Sequence, residues 1–255
     1  MSELAFVGLG LDDERGLSDR ALERLRHSAE VFAEEYTAVA PPGTLERLAA
    51  EIGRPVRRLD RPLLEAEAPL LDALARGDVA LLVVGDPFAA TTHVALRLAA
   101  ERAGHRWRYV PNASVLTAAP GFLGLMHYRF GRTVSLPFPA PEFAPRSPLE
   151  QIAGNRERDL HTLVLLDLRP EEGRFLTAGE ALSVLRERDP EGALIGDAEG
   201  VAVAARVGRD DAAGFYGPFE RLRRVDFGPP MHALVVPART LHFEESAALE
   251  RFRVG

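Results

Sequence analysis

The chain has 255 residues, 46% of them hydrophobic and 27% charged, with a formal net charge of −7 and no cysteine. That length buries a substantial core in one large domain or two small ones, and the composition is that of a soluble globular protein. Lack of cysteine excludes disulfides and thiolate chemistry, the acidic balance leaves no global basic field for nucleic acid, and no stretch approaches the roughly 20 apolar residues of a membrane span. No cationic segment precedes an apolar one in residues 1–10, so no signal peptide is expected and the cytoplasm is the expected location.

Apolar runs and amphipathic stretches alternate from the start, the pattern of an α/β protein. The spacing predicts strands at 4–9, 31–33, 56–59, 79–84 and 107–110. Between them it predicts helices at 18–30 (with Ser18 as N-cap), 45–52, 64–75 and 90–103. Such alternation implies a parallel sheet with right-handed crossovers. From Pro111 the texture changes to a proline-rich stretch that includes PFPAPEFAPRSP at 137–148. Two capping boxes follow, Ser147-Pro148-Leu149-Glu150 and Thr177-Ala178-Gly179-Glu180. Strands are expected at 161–168, 201–207 and 233–236, the second of them paired antiparallel, and a last helix at 244–252. The change at Pro111 divides the chain into an N-terminal α/β domain, 1–112, and a C-terminal α/β domain, 113–255.

Ligands of open α/β sheets bind beyond the carboxyl ends of strands, and five distinctive segments fall at strand ends. Gly8-Leu9-Gly10-Leu11 allows close backbone approach but lacks the rest of a dinucleotide fingerprint. Gly85-Asp86-Pro87 joins a permissive residue, an acceptor and a fixed exit direction; Asp86 is either a ligand for a hydroxyl or ammonium group or a helix cap. Asn112-Ala113-Ser114-Val115 offers a hydroxyl for capping or for a ligand. Leu166-Asp167 closes an apolar strand, and Pro229-Pro230-Met231-His232 enters the last one. Other chemistries are excluded by inventory. Without lysine there is no GxxxxGK[ST] phosphate loop, there is no GxSxG elbow, and the seven histidines have no metal-ligand spacing. The clusters Arg54, Arg57, Arg58, Arg61 and Arg221, Arg223, Arg224 read first as solvated faces and second as contacts for an acidic partner.

Several stretches together resemble one family. They are FVGLGLDDERGLS at 6–18, VFAEEYT at 31–37, GDPFAATTH at 85–93, NAS at 112–114, HYRFG at 127–131, DLHTLVLLDL at 159–168, TAGEAL at 177–182, VDFGPPMHALVVPA at 225–238 and LHFEESAAL at 241–249. In this order, and nearly end to end, they are similar to the diphthine synthase family of the tetrapyrrole methylase superfamily.

The resemblance implies two α/β domains, the N-terminal sheet parallel and the C-terminal sheet mixed, with S-adenosyl-L-methionine in the cleft between them and S-adenosyl-L-homocysteine as product. It carries cofactor positions onto Leu11, Asp86, Ala89, Ser114, Val115, Leu166, Val207 and His232. It implies methylation of the amino group of a 3-amino-3-carboxypropyl-histidine on translation elongation factor 2, giving diphthine. A homodimer is a further expectation of the same resemblance; the compact length and the scarcity of thermolabile residues lean to an archaeal source, and the composition and histidine spacing above lead us to expect no metal, nucleic acid or membrane. No general base is assigned; water, His93 and His232 stay open. Two other readings also stay open: a methylase of a corrin or other tetrapyrrole precursor, and a non-catalytic nucleoside-binding scaffold.

Overall fold

In the computed structural model, which describes residues 1–36, 38–140 and 145–255, the chain divides into Met1–Ser114 and Val115–Gly255. The first unit is organised by β1 (Glu3–Gly10), buried at every position. Beside it run β2 (Glu30–Glu34), β3 (Val56–Leu59), β4 (Val79–Val84) and β5 (Arg106–Val110). Their order is β3-β2-β4-β1-β5, and every pairing is parallel. Alternate residues of the central strands feed two apolar layers. Ala5, Val7, Leu9, Ala33 and Leu82 join one, and Leu4, Phe6, Phe32, Leu81 and Val83 the other. A sheet covered on both faces has no polar face to present, which explains the unbroken apolar runs in the sequence.

The first layer is closed by α1 (Asp19–His27) and α2 (Thr44–Ile52) through Ala21, Leu25, Leu45 and Leu48. Over the other lie α3 (Arg61–Glu65), α4 (Ala68–Leu74) and α5 (Val94–Arg102), with Leu64, Leu70, Leu74 and Leu96 buried in it. Ser18 caps α1 as expected, accepting the Ala21 amide at 3.2 Å. The helix expected at 18–30 ends at His27, and two others differ from the sequence expectation in more than their ends. The single helix expected at 64–75 is broken at Glu67, which takes φ +58, so Pro69 falls in a first turn and not in a helix interior, where its ring would clash. The helix expected from residue 90 begins at Val94, because Ala90 takes φ +59 and the polar side chains after it bind backbone.

The second unit carries a mixed sheet of β6 (Val134–Leu136), β7 (Thr162–Leu166), β10 (Gly200–Ala205), β11 (Ala213–Pro218) and β12 (His232–Val236), with β8 (Leu168–Arg169) and β9 (Arg174–Phe175) forming a separate hairpin. The order is β11-β10-β12-β7-β6; only β6 and β7 run parallel. Here too both faces are covered. On one side lie α7 (Ser147–Glu157), α8 (Ala178–Arg188) and α9 (Phe219–Leu222); on the other α6 (Val115–Leu123) and α10 (Phe243–Glu250). The Thr177 capping box forms. The Ser147 box does not: Ser147 is already helical, Arg146 is the cap residue and, among the described residues, no side chain caps the first turn. The strand expected at 201–207 stops at Ala205, since Arg206 turns to φ +52. The one expected at 161–168 ends at Leu166, where Asp167 leaves the sheet to begin the hairpin. Strands β6, β8, β9 and β11 have no counterpart in the sequence reading. Thr37 of the VFAEEYT segment and residues 141–144 of the proline-rich loop lie outside the described residues.

Candidate functional site

In the first unit β1, β4 and β5 end side by side, with Gly10 opposite Val84 and Val7 opposite Val110. Gly10 and Gly85 exchange backbone hydrogen bonds of 3.1 and 2.7 Å. Both have positive φ, +87 and +80, a conformation that glycine adopts without the steric penalty of a side chain. Asn112 ties the next strand end to this pair: its Nδ2 donates to the carbonyls of Gly8 at 2.9 Å and Gly16 at 3.0 Å. A Cβ on Gly8 would stand 2.7 Å from Asn112 Cβ and from the Gly85 carbonyl oxygen. The glycines are therefore needed for close packing of three strand ends.

Asp86 lies in this knot, 9% exposed. Its Oδ1 accepts the Phe88 amide at 3.0 Å. Its Oδ2 accepts the Tyr109 hydroxyl at 2.5 Å and the Asn112 amide at 3.2 Å. The turn-capping role and an anionic site thus coexist in one carboxylate. Leu11 and Ala89 are half-buried just past β1 and β4, and Ser114 is half-buried at the end of the unit. Thr91 and His93 have a different task. Thr91 Oγ1 and His93 Nδ1 both donate to the Pro87 carbonyl, at 2.6 and 2.7 Å. Since that partner is an acceptor, Nδ1 carries a proton. Burial pushes its pKa down, and its Nε2 faces Glu34 Oε2 at 3.9 Å.

In the second unit Leu166, Val207 and His232 gather at one end of the mixed sheet. His232 stands opposite Ala205, and Ala233 opposite Leu165. Leu166 is buried, Val207 half-buried, and Val115 is the half-buried first residue of α6. His232 uses both ring nitrogens on backbone. Nδ1 accepts the Ala178 amide at 3.2 Å and Nε2 donates to the Pro229 carbonyl at 3.0 Å, which makes it neutral with the proton on Nε2. Burial lowers its pKa. Arg206, only 9% exposed along its side chain, fastens the loop ahead of it. Its Nη1 donates to the carbonyls of Phe227 at 3.0 Å and Pro229 at 2.7 Å, and its Nε pairs with Asp211 at 2.7 Å.

Other motifs of the sequence build the interior. Glu245, from LHFEES, and His161, from DLHT, are both buried. Glu245 Oε1 accepts the Met126 amide and His161 Nε2, each at 3.0 Å; Oε2 takes the His242 amide at 3.1 Å and the Arg129 guanidinium. Burial opposes the charge on Glu245, but the Met126 and His242 amides hold its pKa below the usual value. The arginine clusters are largely neutralised at the surface. Arg57 pairs with Glu30, Arg58 with Glu35 and Glu46, and Arg223 and Arg224 with Glu220. Among the described residues no group of His, Asp and Glu could hold a metal ion, and no helix is long and apolar enough to cross a membrane.

Sequence reasoning located the strand ends but missed Tyr109 and Arg206, whose partners lie 23 and 21–23 residues away. For Tyr109 the sole signal was an aromatic alternating with arginine in RWRYV.

The chain is thus built of two α/β units, each with half-buried aliphatic and polar groups at its strand ends, and its class follows from comparison with known proteins. A family model of tetrapyrrole (corrin/porphyrin) methylases matches residues 3–222, and the chain belongs to that family. Among its relatives are the diphthine synthases. The chain is 39% identical over 246 residues to the diphthine synthase of Methanothermobacter thermautotrophicus, covering 95% of this chain and 92% of that one. It is 42% identical over 253 residues to that of Methanosphaerula palustris, covering 98% of each. A crystal structure of a diphthine synthase superposes with a TM-score of 0.90 at 36% identity, over 99% of this chain and 96% of the other.

Proposed function

We propose that the chain is an S-adenosyl-L-methionine-dependent N-methyltransferase of diphthamide biosynthesis. Its substrate is the amino group of 3-amino-3-carboxypropyl-histidine on translation elongation factor 2, and its product is diphthine. The observation that carries this reading is identity of 39–42% with diphthine synthases across nearly the whole of both chains. The cofactor is assigned to Leu11, Asp86, Ala89 and Ser114 of the first unit and Val115, Leu166, Val207 and His232 of the second.

The residues fit that group. Half-buried Leu11, Ala89, Val115 and Val207 suit the faces of an adenine and a methionine chain. Asp86, with three of its roughly four lone-pair positions filled, keeps an acceptor for a hydroxyl or ammonium group. When bound, the cofactor supplies an electrophilic methyl on a sulfonium for in-line displacement by the substrate amine. The chain contributes proximity and orientation. Neither His232 nor His93 serves as base: His232 has both nitrogens committed to backbone, and His93 is 1% exposed. We assign the amine proton to water. The same reading has the enzyme work as a cytoplasmic homodimer, with the protein factor as its partner and no metal.

Incubation of the purified chain with methyl-labelled cofactor and elongation factor 2 bearing the unmethylated intermediate tests this. Label is expected in the factor. Label in a corrin precursor with none in the factor would transfer the assignment to tetrapyrrole methylation, and no turnover with either would leave a binding scaffold.

A further inference from the structure

Asp86 is held from outside its own turn by one side chain among the described residues, Tyr109, at 2.5 Å. Tyr109 lies next to the end of β5, the edge strand of the parallel sheet. Its hydroxyl meets the carboxylate, and its ring packs edge-on against Phe88 with centroids 5.1 Å apart. Phe88 is the residue whose amide fills Asp86 Oδ1, and its ring rests on buried Phe6, centroids 4.9 Å apart. Tyr109 thus grips the Gly85–Phe88 turn at two points, one polar and one apolar, and links it to the core.

A hydroxyl bonded to a carboxylate is a strong, directional donor. With Phe88 and Asn112 it confines Asp86 to one orientation, which aims the remaining lone pair. Removing the hydroxyl leaves Oδ2 with the Asn112 amide alone, at 3.2 Å. Burial first, and then the hydrogen bond to Asp86, push the Tyr109 phenol up to about 12. The group therefore stays a donor throughout the working pH range.

We propose that Tyr109 is the positioning residue for Asp86, fixing through its O–H the direction in which the carboxylate meets the bound cofactor. The inference rests on Asp86 being a cofactor contact, and the experiment separates the two. The full-length variants Tyr109→Phe, Asp86→Ala and the double variant are titrated with S-adenosyl-L-methionine and with S-adenosyl-L-homocysteine by calorimetry, and KM and kcat are measured with the modified factor. Tyr109→Phe retains the ring on Phe88, so its thermal midpoint is expected to stay near that of the parent. Its Kd and its KM for the methyl donor should rise up to about tenfold, the cost of ordering on binding a carboxylate no longer held in place beforehand, with kcat changed less than about twofold. The double variant should bind no more weakly than Asp86→Ala, because the hydroxyl acts only through that carboxylate. Unchanged affinity in Tyr109→Phe, or losses that simply add in the double variant, overturns the inference while weak binding by Asp86→Ala still upholds the cofactor contact. Parental affinity in Asp86→Ala overturns both.

Discussion

The imidazole of His232 accepts the Ala178 amide on Nδ1 and donates from Nε2 to the Pro229 carbonyl. One side chain thereby closes the first turn of α8, beside the capping box that Thr177 and Glu180 make, and pins the loop that leads into β12. A histidine so committed supports the site and does not move protons. His232→Ala should lower stability by about 1–3 kcal/mol, the range of a lost cap and an unsatisfied buried amide, read by urea unfolding. His232→Asn should leave the pH profile of kcat unchanged. A profile that loses one limb in that variant, at parental stability, would return the residue to the role of base.

Acid sensitivity follows from three buried imidazoles. His93, His161 and His232 all have pKa values pushed below the ordinary 6.5, burial being the main cause in each. The native state therefore binds fewer protons than the unfolded chain. Stability is complete above the unfolded value and declines as pH falls below it toward the native values. Urea midpoints at pH 7.5, 6.5 and 5.5 should decrease in that order, ahead of any loss from carboxylates. His93→Asn, which keeps a donor for the Pro87 carbonyl, should flatten part of the slope. Equal midpoints across the three pH values would contradict this account.

Glu245 collects four donors in a buried pocket, whereas Arg129 also reaches the Thr240 carbonyl and Asp159. Loss of the acceptor therefore strands more groups than loss of the cation. Glu245→Ala should destabilise by about 3–5 kcal/mol, the range for breaking a buried pair, and Arg129→Ala by less. Thermal or chemical denaturation of the two variants decides the order, and a reversed order would refute it.

Two glycines should respond oppositely to alanine. At Gly8 the new Cβ meets the Gly85 carbonyl and Asn112 Cβ at 2.7 Å, and backbone on one side cannot yield. Gly8→Ala should cost about 1–3 kcal/mol and weaken cofactor binding by spreading the strand ends. Gly121, within α6, has nothing within 4 Å of its Cβ position. Gly121→Ala should stabilise by about 0.5–1 kcal/mol through helix propensity and a less flexible unfolded chain. Parallel melting curves of the two variants test both signs at once.

Much of the first unit was legible because its central strands β1, β2 and β4 are buried on two faces. Only residues 79–84 and 56–59 were bounded without error; the rest differ by a few residues, since fraying ends and side-chain bonds set them. The break at Glu67 and the delayed start of α5 depend on local φ angles that periodicity does not encode. Strand β11, AGFYGP, escaped notice because it is half-buried and contains two glycines. Of the candidate site, the glycines and Asp86 stood out through their position at strand ends. Tyr109 and Arg206 did not, since each acts on a group brought near by folding.

By itself, the sequence determined the α/β class, the strand ends as the place for chemistry, and the family. Those are properties of apolar periodicity and of short contiguous motifs. Only the tertiary structure decided what individual side chains do there. It made His232 and His93 backbone anchors, placed the LHFEES glutamate in a buried polar network, and set the Tyr109 hydroxyl on Asp86. A hydrogen-bonding group is defined by its partner, and these partners are supplied by the packing of strands far apart in the chain.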